Sequence, residues 1–75
     1  MTREEFFHEL QEIFGPAAAD IRGDELLENL GWDSMARVMF LAMADETLHQ
    51  SISGVQLADC KTVDDLIVLF PGKIS

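Results

Sequence analysis

The sequence predicts an all-α protein: a four-helix up-and-down bundle with a long first loop and a short third helix. Three observations lead there. A segment near each end joins a Thr-x-x-acid capping box to apolar residues at helical spacing. The run from Ser34 to about Leu48 contains no helix breaker, and its favourable formers Met, Ala, Leu and Glu dominate. Nowhere do apolar and polar residues alternate as a half-buried strand requires, and there is no internal repeat or low-complexity tract. With 75 residues the chain has room for a single domain, residues 1–75.

Each element has its own signal. Phe6, Phe7, Leu10, Ile13 and Phe14 fall on one helical face, with Glu5, Glu9 and Glu12 elsewhere. Thr2 and Glu5 form the box that starts this helix at about Arg3, and Gly15-Pro16 ends it at Phe14. From Gly15 to Trp32 no period is sustained, yet Ile21, Leu26, Leu27 and Leu30 are apolar enough to fasten the segment to a core. Asp24 is a candidate cap for a short helical turn through Asn29, closed by Gly31.

The second helix is apolar nearly all round. On a wheel of about 100° per residue, Met35, Val38, Leu41, Ala42 and Leu48 share one side, and Met39, Phe40 and Met43 spread over the other. Such a helix is either covered on several sides or offers a face to a partner. Beyond His49, Ile52, Val55 and Leu57 are expected to anchor a short third element ending near Lys61. Thr62 and Asp65 then open a last helix carrying Val63, Leu66, Ile67 and Phe70, which stops at Pro71-Gly72.

The order helix, long loop, helix, short helix, helix, with Leu30-Gly31-Trp32-Asp33-Ser34-Met35 at the start of the second helix, resembles the acyl carrier protein family. The run Leu57-Ala58-Asp59-Cys60-Lys61-Thr62-Val63-Asp64-Asp65-Leu66 is also similar to that family's entry into its fourth helix, and the resemblance spans essentially the whole chain. In the family, the serine of an Asp-Ser-Leu motif receives 4′-phosphopantetheine from a transferase that uses coenzyme A and magnesium. The resemblance therefore implies attachment at Ser34, with Asp33 beside it and Met35 replacing the leucine. It also implies partners: the phosphopantetheinyl transferase, and loading enzymes, ketosynthases or other pathway enzymes.

The residues themselves suit this chemistry. A helix start offers free backbone N–H groups and a dipole that favours an anion such as a phosphodiester, by about 0.3–1 kcal/mol. Asp33 is repulsive toward a phosphate, which leaves it two roles: capping the helix, or, as the resemblance implies, helping to hold the transferase's magnesium. Neither His8 nor His49 is near Ser34 in sequence, so no base activates it as a catalytic nucleophile, and no catalytic residue is expected. Cys60 reads as a small core residue, and Cys60, His8 and His49 have no metal-ligand spacing. Trp32 is either a loop anchor or a surface that partners touch.

Charge narrows the partners further. Fourteen acidic against five basic residues leave a formal net charge of −9. Nucleic acid is repelled, whereas basic protein patches are attracted over roughly 10 Å at 0.1 M salt; the acidity also serves solubility. Family members in fatty-acid synthesis usually bring an acidic second helix to their enzymes. Here Ala36 and Met39 stand where acids are frequent, Arg37 adds a positive charge, and Asp45 and Glu46 keep the far end acidic.

The candidate recognition set is accordingly Met35, Arg37, Met39, Met43, Asp45 and Glu46, with Met39 and Met43 either facing a partner or packing inward. These departures point to a specialised assembly, such as a polyketide or related natural-product pathway, though a fatty-acid pathway remains open. A peptidyl or aminoacyl carrier, or an unmodified helical interaction module, are the alternatives. A lone cysteine, a start without a basic or long apolar stretch, and no run of membrane-spanning length fit a reducing, cytoplasmic setting. The chain begins at a methionine and ends just past the fourth helix, which fits a discrete carrier, with excision of one domain from a larger synthase as the alternative; a monomer is expected.

Overall fold

A computed structural model describes all residues, 1–75. It is entirely helical: α1 spans Arg3–Phe14, α2 Ser34–Leu48, α3 Gly54–Ala58 and α4 Val63–Val68, with 3₁₀ turns at Gly15–Ala18 and Leu27–Leu30. Three of the four helices start with a reciprocal capping box. Thr2 and Glu5 open α1, Ser53 and Gln56 open α3, and Thr62 and Asp65 open α4. Each box satisfies two N–H groups that would otherwise lack partners.

The shorter helices depend on tertiary packing. Six residues of α4 are far too few to form an isolated helix in water. Val63 and Leu66 are fully buried, however, and Phe70, expected inside the last helix but two residues past its end at Val68, joins Phe6 of α1 and Phe40 of α2 in an aromatic triangle. Its ring centroids lie 6.0–6.1 Å apart, and the Phe6–Phe40 pair is edge-to-face. Such pairs add about 0.5–1.5 kcal/mol each beyond the area they bury.

The long first loop is stitched to the start of α4. Leu27 N–H donates to Lys61 O at 2.8 Å, Val63 N–H to Glu25 O at 3.2 Å, and Asp64 N–H to Gly23 O at 2.8 Å. The loop thereby supplies acceptors for first-turn N–H groups that α4 cannot pair internally. Gly23 has φ +122°, and a Cβ there would stand 2.5 Å from Asp64 Oδ1, so glycine is required. Arg3 clamps the same place, its guanidinium reaching Arg22 O and Asp64 Oδ1, each at 3.2 Å.

Several expectations are corrected. The buried face of α2 is Ala36, Phe40, Met43, Ala44 and Leu48. Met35 and Val38, assigned on the wheel to the same side as Leu48, are 72% and 65% exposed. The helix is apolar on both sides, and only its neighbours select which side is covered. Ala36 is buried, so it offers a partner no surface of its own. Val55 is 75% exposed and anchors nothing; Ile52 and Leu57 hold α3.

Asp24 does not cap the turn at Leu27–Leu30, which has no side-chain cap. The carboxylate that organises this loop is Glu25, which accepts from Arg22 N–H at 2.7 Å and Gly23 N–H at 2.8 Å. Gly31 does close the turn, in the left-handed region at φ +86°.

Candidate functional site

The start of α2 gathers the residues that the sequence singles out. Asp33 is the N-cap, its backbone extended, and its Oδ1 accepts from Ala36 N–H at 2.8 Å. Arg37 N–H donates to Asp33 O, leaving the N–H groups of Ser34 and Met35 without an internal partner. Of Asp33's two readings, capping is thus realised by one carboxylate oxygen, and Oδ2 is unbonded.

Ser34, the first residue of the helix, is exposed, and its hydroxyl makes no hydrogen bond within the protein. An exposed hydroxyl beside two unpaired N–H groups, at the positive end of a 15-residue helix, fits a covalently attached phosphodiester. No imidazole is placed to deprotonate Ser34. His49 caps the other end of α2, about 20 Å away at 1.5 Å rise per residue. His8 is on the outer side of α1, 71% exposed, with Nε2 3.8 Å from Glu12.

The loop before Ser34 is held rigid by Trp32, whose ring meets Phe14 at 5.8 Å and Phe40 edge-to-face at 5.9 Å. Trp32 is half-buried and packs on the core, so the anchor role is the one observed. Its outer side carries the Arg37 guanidinium at 5.9 Å from the ring centre, a cation–π contact that sets Arg37 one helical turn beyond Ser34.

Two depressions flank the site. One, of about 190 Å³, lies between α1 and α2 and is bordered by Asp33, Met35 and Met39. The other, of about 230 Å³, lies between the first loop and the turn before α4, with Leu26, Leu27, Trp32 and Cys60 in its walls. Cys60 packs on the core edge, and its Sγ donates to Gln56 O at 3.4 Å. Burial, with the charges of Asp65 and Asp59, raises its pKa above the ordinary thiol value, so it is a poor nucleophile at neutral pH.

The proposed recognition residues divide. Met35 and Met39 are exposed, Met39 by 41%; Arg37, Asp45 and Glu46 are exposed as well. Met43 is not a surface residue: at 9% exposure it belongs to the core against α1, because α2 turns that side inward. Sequence reasoning did not connect Glu9, Glu12 and Ile13 of α1 with Met39 and Glu46, which the fold brings to one groove. The i, i+4, i+7 positions of Glu5, Glu9 and Glu12 were a visible signal of an acidic stripe on α1, but not of what it faces.

No helix of the structure is long and apolar enough to cross a membrane, and no cluster of His, Cys, Asp or Glu could hold a metal ion. No curated protein and no solved structure matches the chain. The sequence model for the phosphopantetheine attachment site matches residues 5–69, from the first turn of α1 to the residue after α4. Members of that family carry 4′-phosphopantetheine covalently on a serine, and this chain belongs to the phosphopantetheine attachment site family.

Proposed function

We propose that this protein is an acyl carrier whose arm is attached at Ser34, and that it carries out no catalysis itself. The observation that carries the reading is the local geometry of the three serines inside the matched region. Ser53 is committed to capping α3, where its hydroxyl accepts from Gln56 N–H, and Ser51 lies in an irregular stretch. Ser34 alone combines a free hydroxyl with unpaired N–H groups at the start of a long helix.

When attached, phosphopantetheine supplies a thiol on a flexible arm, on which acyl groups travel as thioesters. The chain's own residues do the rest. Ser34 provides the anchoring oxygen. The first turn of α2 stabilises the phosphodiester charge, and Arg37, one turn on, adds a cation on the side of the helix that Ser34 occupies. Asp33 holds the helix start in shape with Oδ1 and leaves Oδ2 to the transferase's magnesium.

A specialised natural-product assembly, in the cytoplasm and with a monomeric carrier domain, is the setting we favour. Met39 stands where an acid is usual on a fatty-acid carrier's second helix, Arg37 adds a positive charge there, and Met35 and Val38 add exposed apolar surface. A fatty-acid elongation ketosynthase should then turn over the loaded protein slowly. Turnover as fast as with that enzyme's own carrier would overturn the pathway assignment.

The central test is intact mass after incubation with coenzyme A, magnesium and a broad-specificity phosphopantetheinyl transferase. One added phosphopantetheine, absent in Ser34→Ala, is the expected result. No addition to the folded protein, or addition that survives in Ser34→Ala, would overturn the assignment.

A further inference from the structure

The groove between α1 and α2 has an apolar floor and carboxylates on both walls, and attachment at Ser34 makes no use of it. Glu9 and Glu12 stand on the α1 wall and Glu46 on the α2 wall, with Ile13, Met39 and Ala42 between them, around a volume of about 310 Å³. Of the three carboxylates only Glu12 has an ionic neighbour: His8 at 3.8 Å, itself exposed and charged only when protonated. The groove shares Ile13 and Met39 with the depression bordered by Asp33. It therefore follows α2 from the residue before Ser34 to Thr47, about 20 Å at 1.5 Å per residue.

We propose that this groove docks a basic amphipathic helix of a partner enzyme, with its apolar side chains on Met39 and Ala42 and its Lys or Arg side chains paired across both walls. The shape favours a helix, because a cleft between two packed helices accepts the ridge of a third. Both of its walls carry only acid, and the chain's charge of −9 adds to their field. An apolar segment with acidic flanks would leave three carboxylates facing like charge, so the partner's sign is determined. The unbranched Met39 side chain adapts to whichever apolar residue arrives.

The direction of the groove gives the contact a purpose. A helix lying in it has one end beside Ser34, which brings the enzyme that bears it to the arm at raised effective concentration. The surface adds to the carrier reading without depending on it, since none of the residues proposed to pair with the helix, Glu9, Glu12 and Glu46, takes part in attachment.

The test is a ¹⁵N–¹H NMR titration of the unmodified chain with a synthetic Leu/Lys amphipathic helix of about fourteen residues. Shifts should concentrate at Glu9, Ile13, Ala42 and Glu46, and affinity should fall in high salt. Glu12→Lys with Glu46→Lys should weaken binding by about tenfold, since two favourable pairs become repulsive. Asp20→Lys with Asp24→Lys, the same charge change on the first loop, should alter it by less than about twofold.

Should the first pair melt the fold, Ala42→Lys places a cation at an exposed position of the groove and should weaken binding in the same way. Equal weakening by both charge-reversed pairs would reduce the contact to net charge and overturn the proposal. Shifts confined to Val38 and Val55, or no binding, would overturn it as well. Because the unmodified chain is used, failure here leaves the assignment of Ser34 untouched, and failure of modification leaves this result standing.

Discussion

The two sides of α2 are equally apolar in sequence and opposite in fate. Phe40, Ala44 and Leu48 are enclosed by α1, the loops and the tail of α4, and Phe40 alone meets Phe6, Phe70 and Trp32. Met35 and Val38, one or two residues from that face, stand in solvent. Burial pattern, not hydrophobicity, therefore separates the residues that make the fold from those free to meet another protein. A small domain cannot cover all its apolar surface, and what it leaves open on the helix bearing Ser34 is available to a partner.

The largest effect should come from the covered side. Phe40→Ala removes the shared member of the aromatic cluster and should cost about 3–5 kcal/mol, enough to unfold much of a domain this small. Denaturant melts followed by circular dichroism would measure it. A loss below about 1 kcal/mol, the size of an ordinary surface change, would erase the distinction between the two sides.

Next is the helix start that serves both sides. Asp33→Ala should cost about 1 kcal/mol through the lost cap to Ala36 N–H. Asp33→Asn keeps the cap and should keep stability, while losing most of the modification rate if the carboxylate serves the transferase. An asparagine variant modified at full rate would limit Asp33 to capping.

Acid tests the scaffold behind the covered side without altering α2. Thr2, by its N–H and its hydroxyl, holds Glu5 below its ordinary value of 4.5, and the N–H groups of Lys61 and Thr62 hold Asp65 below 3.8. Both folded pKa values are depressed, so the contribution is complete above the unfolded values and is lost as pH falls through the folded ones. The double variant Glu5→Gln, Asp65→Asn should be less stable than the parent at pH 7. The gap should narrow below about pH 4.5. A gap that stays constant to pH 3 would show that the boxes do not depend on charge.

The smallest effect should come from the open side. Val38→Lys should change stability by no more than about 0.5 kcal/mol, since it removes a β-branched residue from an exposed helical position and uncovers nothing. Its effect should appear in transfer by partner enzymes. A change in melting as large as that of Phe40→Ala would mean that this side is covered after all.

Much of this molecule is written locally. The limits of α1 and α2, the boxes at Thr2 and Thr62 and the turn at Gly31 follow from bonds within four residues, so the sequence alone locates them. The pair Ser53 and Gln56 was equally local and marks α3, yet a five-residue helix has too short a period for its apolar pattern to stand out. Ser34 and Asp33 were legible for the same reason: helix start, cap and motif are contiguous. The match over residues 5–69 bears on the family and not on either residue.

What tertiary structure alone decided is which neighbours each apolar residue meets. The pairing of Gly23, Glu25 and Leu27 with the start of α4 joins residues more than thirty positions apart, and no local signal announces it. Met43 turned inward and Met39 outward, at 9% and 41% exposure, although both are methionines on one helix. The sequence by itself determined an acidic, helical chain with the carrier family's motif, and its proposed attachment serine, at the start of its longest helix. Packing decided which of that helix's apolar sides became core, since two sides of equal hydrophobicity differ in free energy only once something covers one of them.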